Sequence, residues 1–448
     1  MIPVVTPEEM RAIDASAPEP VEVLVERAGA AVAAAALDIL GGTYGRRVVV
    51  VAGNGNNGAD GRAAARRLER RGIRVAVFDA ASCPAVLPAA DLAIDAAYGT
   101  GFRGDYRAPD AGEAFVLAVD IPSGVDGLTG EACRRAVRAD ATVTFAALKP
   151  GLLYDLTSDR RSGLVTVVDI GLDVSAARAH LVEPSDLTAL PGRARDAHKY
   201  AAAVAVVAGS PGMTGAPALC ARAAFRAGSG YVRLAVPGSS RTDVSALGVT
   251  EAVAVPLAAD DWAAEAIEAC DRMRALAIGP GLGRREATLA SAARVIAEAA
   301  VPTVVDGDGL RALPDDRLRD GVVLTPHEGE YEHLAGQPIS RDRVAGARQL
   351  ASRTNATVLV KGPATVVASP AGEARFVTTG AATLATAGTG DVLTGIVAAF
   401  LARGLDPLDA ASLAACAHGL ASRRAGRGEG LVASDLIETI PGVLWPAR

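Results

Sequence analysis

Residues 48–61 read VVVVAGNGNNGADG. Four valines and an alanine form an unbroken apolar run, the mark of a strand buried on both faces of a parallel sheet. The run then breaks into glycines, asparagines and an aspartate, which puts bare backbone and amide oxygens just past the strand's carboxyl end. The continuation, GADGRAAARRLERRG (58–72), reads as a helix with an arginine-rich outer face. By spacing alone, GNGNNG (53–58) satisfies the GxGxxG dinucleotide fingerprint, with Asp79 21 residues past Gly58 at the end of the next strand. Two features argue against an ordinary cofactor turn. Asp60 falls in the first helical turn, where its charge would repel a pyrophosphate. The three asparagines bring amide oxygens, which suit a hard cation or sugar hydroxyls.

Outward from this stretch the same grammar repeats. RVAVFDA (74–80), DLAIDAAYG (91–99), FVLAVDIPSG (115–124) and ATVTFAALKPG (141–151) read as further strands, and two helices, near PEEMRAIDASA and EVLVERAGAAVAAAALDIL, precede the first strand. The pattern restarts at AAAVAVVAGS (201–210) and continues through YVRLAVP, ALAIGPG, PTVVDGDG, GVVLTPHEGE, ATVLVKGP and ATVVASP. Strands alternating with Ala-rich helical stretches predict parallel α/β sheets with crossover helices. The 448 residues suffice for two cores, and the stretch 181–197 lacks a clear period. The expected organisation is therefore two α/β domains of three layers each, over 1–188 and 189–448, the first Rossmann-like.

Composition excludes several functions. Half the residues are apolar and the net charge is −6 with acids and bases interspersed, so no basic stripe suggests nucleic acid. No apolar run approaches the roughly 18 residues of a membrane span, and the N-terminus lacks signal-peptide features. Five cysteines without CxxC spacing predict reduced thiols and a cytoplasmic protein. The Ala-rich surfaces suit subunit contacts, so a homo-oligomer is expected. Of 45 basic residues only Lys149, Lys199 and Lys361 are lysines. Where arginine is the default, a lysine that persists reads equally as a chance survivor or as a need for a compact point charge.

Ligands of open parallel sheets bind at the carboxyl ends of strands. DAAYGTGFRGD (95–105) puts Asp95 there, and VDIPSGVDG (119–127) adds Asp120 and Ser123. Singly, each aspartate reads equally as a cap or turn residue. Together with Asn57 they supply one carboxylate to neutralise a monovalent cation and another to act as general base.

NNGADG, DAAYGTGFRG, VDIPSG and FAALKPG, in this order, resemble the NAD(P)H-hydrate epimerase family. The resemblance, over roughly residues 5–180, implies that a hydrated NADH or NADPH is the substrate, not a redox cofactor. It implies potassium held by Asn57, Asp95 and Ser123. It also implies hydrate contacts from Asn56, Asn57, Gly58, Ala59 and Asp60, from Gly99, Thr100, Gly101, Phe102, Arg103, Gly104 and Asp105, and from Asp120. Lys149 matches the motif's lysine, and Ala59 stands where the family usually has glycine. Epimerisation requires hydroxide to leave with help from the ring nitrogen and water to return on the other face. Asp120 is the expected acid/base, with Lys149 orienting it or polarising the leaving oxygen.

In the second half, ATAGTGDVLTG (385–395) opens an apolar helix. Gly388 and Gly390 offer backbone N–H groups at a positive helix end, and Asp391 is placed to take a proton from an attacking hydroxyl. It is not a Walker loop. KGPAT (361–365), GPGLG (279–283) and TPHEGE (325–330) end other strands, and Ala216 lies in the first turn of an Ala-rich helix. These elements resemble the ribokinase-like fold and, more closely, the ADP- or ATP-dependent NAD(P)H-hydrate dehydratase family. That resemblance implies hydrate contacts from Ala216, Gly281, His327 and Asp391. It implies adenine-nucleotide contacts from Lys361, Gly362, Pro363, Ala364, Thr365, Gly388 and Gly390. Magnesium would accompany the nucleotide, and ADP is the expected donor, as in fused enzymes of this kind. Tyr200, after His198 and Lys199, replaces the family's usual glycine. Two rival readings are a sugar or vitamin kinase fused to a nucleotide sensor, which would accumulate a phosphorylated product, and a binding module without turnover.

Overall fold

The computed structural model describes residues 1–157, 160–314 and 317–446. The chain divides into two compact units, Ile2–His180 and Leu181–Arg448. The division precedes the predicted boundary near 188 because Val182 and Leu187, in the aperiodic stretch, are buried in the second unit's core. No helix among the described residues is long and apolar enough to cross a membrane.

The first unit contains β1 (Ile2–Val4), β2 (Arg47–Ala52), β3 (Arg74–Asp79), β4 (Leu92–Ala96), β5 (Phe115–Val119), β6 (Ala141–Phe145) and β7 (Leu164–Val168), and β8 (Ala179–Leu181) lies at the division. Six strands form a sheet in the order β3-β2-β4-β5-β6-β7, every pair parallel. Val48–Ala52 are all buried, which is why that run never alternates. The helices Pro7–Ser16 and Val21–Leu40 precede β2, and the helix Asn56–Arg70 follows it. Gly29 lets two of them meet, since a Cβ there would lie 2.4 Å from the Ala63 Cβ. No helix follows β4 or β5: residues 97–114 and 120–140 are irregular loops, and these carry the site.

The second unit contains β9 (Ala203–Val207), β10 (Tyr231–Pro237), β11 (Val253–Leu257), β12 (Ala275–Ile278), β13 (Thr303–Val305), β14 (Val322–Leu324), β15 (Thr357–Val360), β16 (Thr365–Ala368) and β17 (Ala374–Val377). They run in the order β17-β16-β15-β14-β13-β12-β9-β10-β11. All pairs from β15 to β11 are parallel, whereas β15, β16 and β17 pair antiparallel through tight turns that leave no room for a crossover helix. The helix Thr389–Ala402 is buried from Val392 to its end. A helix that is apolar all round belongs inside a core, and this one carries the GTGD motif at its amino end.

Candidate active sites

In the first unit the strand order reverses between β2 and β4, the crevice where doubly wound sheets bind ligands. Register puts Asp95 level with Val51 on one side and Ala118 on the other. The glycines of the opening stretch have separate steric reasons. A Cβ on Gly53 would lie 1.9 Å from the Ala97 oxygen, on Gly58 1.8 Å from the Gly53 oxygen, and on Gly61 2.4 Å from the Ala96 Cβ. They draw the helix amino end onto the two strand ends. Replacing Gly58 by alanine is expected to destabilise the first unit by about 1–3 kcal/mol, read as a lower melting temperature.

The result is a cleft of about 810 Å³ lined by Asn56, Asn57 and Asp60 from the helix, Gly99–Arg103 from the loop after β4, and Asp14, Asp120 and Lys149. Asp120 holds a left-handed backbone at φ 67°, a conformation that aspartate and asparagine tolerate best among side-chain-bearing residues. Lys149, 1% exposed, places its Nζ 2.6 Å from Asp120 Oδ1. The ammonium also donates to Thr144 Oγ1 at 2.8 Å and to the Phe145 and Ala147 carbonyls, and Thr144 donates to Asp120. Both bonds to the carboxylate reach Oδ1, and the Lys149 ammonium is otherwise held by oxygens of Thr144, Phe145 and Ala147. A Cβ on Gly99 would come within 3.3 Å of Asp120 Oδ2 and 3.5 Å of Asn57, so glycine keeps that approach open. Burial, reinforced by the charges of Asp120 and Asp14, pushes Asp60 up to about 8. One carboxyl here keeps its proton near neutrality while another is ion-paired, a division that suits an acid and a base.

Asp95 is buried beneath the cleft. It accepts from the Ser123 amide at 2.8 Å, the Ser123 hydroxyl at 2.7 Å and the Ala97 amide. Burial nevertheless raises it to about 6 against these hydrogen bonds, and no cationic side chain among the described residues offsets it. Both amide atoms of Asn57 are buried without a partner among the described residues. Leaving such atoms unsatisfied costs stability unless something binds them.

In the second unit the order reverses between β9 and β12. Ser210, after β9, donates to the Gly281 carbonyl at 3.0 Å, and a Cβ on Gly281 would lie 3.1 Å from the Ala216 Cβ. Gly388, at φ 88°, caps the helix Thr389–Ala402 without any side-chain bond, leaving its amino end open. Asp391 lies in that first turn. Burial, then the charge of Asp306, raises it to about 6 against the opposing pull of Lys361. Lys361 Nζ sits 2.7 Å from Asp306 Oδ1, and Thr394 donates to Oδ2 at 2.7 Å. A Cβ on Gly390 would lie 3.5 Å from Lys361 Nζ.

The predicted residues do not all converge. Asn56, Asn57, Asp60, Gly99–Arg103, Asp120 and Lys149 line the first cleft, whereas Gly58, Ala59, Gly104 and Asp105 are outside its lining and Asp95 and Ser123 lie behind it. In the second unit Ala216 and Gly281 are adjacent, as are Lys361 and Gly390. Gly362 packs against Arg343, Ala364 is buried, and Thr365 opens β16 while bonding back to Gly362; Pro363 is exposed. His327 caps the helix Glu328–Ala335, accepting from the Glu330 amide through Nδ1, with its ring 61% exposed.

Two family models match this chain, NAD(P)H-hydrate dehydratase over residues 204–442 and YjeF-related protein N-terminus over 21–86 and 79–151. The bifunctional NAD(P)H-hydrate repair enzyme of Salinibacter ruber is 36% identical, covering 98% of this chain and 96% of its own. The chain belongs to the bifunctional NAD(P)H-hydrate repair enzyme family. Its member from Mycobacterium tuberculosis is 40% identical over 83% of this chain and 82% of its own. The ADP/ATP-dependent NAD(P)H-hydrate dehydratase of Bacillus subtilis, co-crystallised with ATP and Mg2+, aligns with TM-score 0.51 at 28% identity, over 59% of this chain and 96% of its own. A ribokinase-like protein of Enterococcus faecalis, with TM-score 0.53 at 22% identity over 59% of this chain and 95% of its own, shares the fold. For a repair enzyme the most informative residues missed from sequence are Asp306 and Asp14. Asp306 carried a readable signal, an aspartate at a strand end in VDGDG (305–309). Asp14 carried none, since only the tertiary fold brings the opening helix to the cleft.

Proposed function

We propose that the first unit epimerises the R and S hydrates of NADH and NADPH, and that the second dehydrates the S form using ADP or ATP. The observation that supports this reading best is the pairing of two intact strand-end sites. One holds the Asp120–Lys149 ion pair in its cleft, and the other presents Asp391 at an uncapped helix end.

At the first site the ring nitrogen lone pair expels the hydroxyl. Asp60 hands its proton to the departing oxygen, so that water leaves. Asp120 takes a proton from the water that re-adds to the opposite face and releases it to solvent, from which Asp60 is reprotonated, and Lys149 fixes the Asp120 carboxylate. At the second site Asp391 takes the ring hydroxyl's proton as that oxygen attacks the terminal phosphorus of the nucleotide, whose bridging oxygen leaves with AMP or ADP. The phosphate then departs with its C–O bond electrons, and a ring proton is lost as the double bond forms. Backbone N–H groups at Gly388–Gly390 face the transferring charge, and the Lys361–Asp306 pair holds an ammonium beside them. Magnesium bound with the nucleotide would neutralise phosphate charge. ADP is the donor we expect, and parallel assays with ADP and ATP decide it.

Potassium fits the first site: Asn57 Oδ1 is a buried acceptor without a partner, and Asp95 is a buried carboxylate without a counter-charge. We assign the ion to Asn57, Asp95 and Ser123. Replacing potassium with choline should lower the first unit's melting temperature, and Asn57→Ala should remove that dependence. We also expect a homo-oligomer in a reducing compartment such as the cytoplasm, consistent with five free cysteines.

Incubation of racemic NADH hydrate with ADP or ATP tests the whole reading. Full return of absorbance in the reduced-nicotinamide band is expected, and recovery of half would remove the epimerase. The two activities should also respond oppositely to pH. A base must be ionised, so dehydration falls about tenfold per unit as pH drops below the Asp391 value of about 6. An acid must be protonated, so epimerisation falls as pH rises past the Asp60 value of about 8.

A further inference from the structure

The second unit carries another cavity, of about 640 Å³, whose lining includes Arg193, His198, Lys199, Gly228, Arg403 and Trp445. Its place in the fold separates it from Asp391. Arg403 is the C-cap of the helix Thr389–Ala402, and Asp391 lies in the first turn of the same helix. Fourteen residues at 1.5 Å each put the two ends about 20 Å apart. Lys199 lies four residues before the start of β9 and Gly228 three before that of β10, so the cavity lies at the amino ends of these strands, whereas Ser210, bonded to Gly281, follows the carboxyl end of β9.

Its charge is unbalanced. Arg193, Lys199 and Arg403 all line it, no acidic side chain does, and among the described residues none of the three forms an ion pair. Elsewhere in this unit arginines are commonly paired, as in Arg226–Glu438, Arg284–Asp308, Arg285–Asp260 and Arg294–Glu298. The cavity's cations are instead held by uncharged groups. Arg193 donates to the Gly228 carbonyl at 3.2 Å, and Arg403 donates to the carbonyls of Ala227 and Pro191. The Lys199 ammonium lies 5.2 Å and 5.1 Å from the ring centroids of Tyr200 and Tyr231. Burial first, and then the charge of Arg193, depress the Arg403 pKa, so the two guanidinium groups repel each other across the pocket. A cation at a helix C-terminus complements the helix dipole, which accounts for Arg403 alone and leaves Arg193 and Lys199 unexplained. The Arg403 guanidinium stacks 5.5 Å from the Trp445 ring, which is 46% exposed. Gly228 keeps the cradle open: at φ 103°, a Cβ there would lie 3.1 Å from Arg403 and 3.2 Å from the Trp445 ring.

We propose that this cavity is a second anion site, distinct from both active sites, that binds a phosphate-bearing small molecule between Arg193, Lys199 and Arg403 beside Trp445. Guanidinium groups match phosphate oxygens in pairs, and the exposed indole offers a face to a planar base.

Trp445 reports on the site, because Trp262, the other tryptophan, is fully buried. The full-length protein is titrated with inorganic pyrophosphate and, separately, with AMP, following tryptophan emission at constant ionic strength. A saturable change is expected with pyrophosphate. It should survive Asp391→Asn and weaken by about tenfold or more in the double variant Arg193→Ala/Lys199→Ala. Both substituted residues are exposed, and an unchanged melting temperature and dehydratase rate would show the fold retained. Tighter binding of AMP would add a base on Trp445, and equal binding would confine recognition to the phosphate. No saturable change, a change matched by sodium chloride, or one that the double variant leaves intact would overturn the proposal.

Discussion

Asp391→Asn is expected to lower dehydration about 10²–10⁴-fold, the usual contribution of a positioned general base, while epimerisation and nucleotide binding persist. The carboxyl sits in the first turn of a buried helix, with its proton affinity raised to about 6 by burial and by Asp306. It is therefore ionised at neutral pH yet basic enough to share a proton with a hydroxyl as the oxygen–phosphorus bond forms. Asparagine keeps the shape and cannot accept that proton. Because the loss lies in the chemical step, kcat should fall and the KM for nucleotide should change little. A variant that retained full turnover would leave Asp391 as a helix-end residue and nothing more.

Asp120→Asn is expected to reduce epimerisation by a similar factor while the second unit still consumes the S hydrate. Racemic substrate would then be recovered only to half, followed by the slow uncatalysed exchange. Asparagine tolerates the left-handed backbone at φ 67°, so the loop keeps its path. The substitution also removes the counter-charge of Lys149, which is 1% exposed. Breaking a buried pair from one side costs about 3–5 kcal/mol, so some loss of stability in the first unit accompanies the loss of rate. Adding Lys149→Met separates the two effects. It relieves the stranded charge and should return stability without returning epimerisation. Recovery of rate in the double variant would mean that Asp120 serves the fold alone.

The sequence carried the first site further than the second. Asp95, Asp120 and Ser123 could be read because each follows a strand, and strand ends in parallel sheets face ligands. Lys149 could be read because lysine is rare in an arginine-rich chain, and it proves to be the buried partner of Asp120. The apolar run 48–52 showed its strand because both faces of the sheet are covered. What was hidden depends on tertiary approach. Thr144 reaches Asp120 from a neighbouring strand, and Asp14 reaches the cleft from the opening helix. The Lys361–Asp306 pair joins residues just past β15 and β13 that local spacing cannot connect. The alternation of strands and helices suggested crossover helices in general, whereas the chain after β4 and β5 forms irregular loops held by Asp95, Ser123 and Asp126. His327 looked like a ligand contact and is at least a helix cap, a role that its place before Glu330 permits equally.

The account turns on the ring oxygen leaving as part of a phosphate. The most direct measurement uses S hydrate labelled with ¹⁸O at the ring hydroxyl, turned over once by the Asp120→Asn variant so that epimerisation cannot wash out the label. The released inorganic phosphate should carry one labelled oxygen. Label appearing in water, with unlabelled phosphate, would contradict the account.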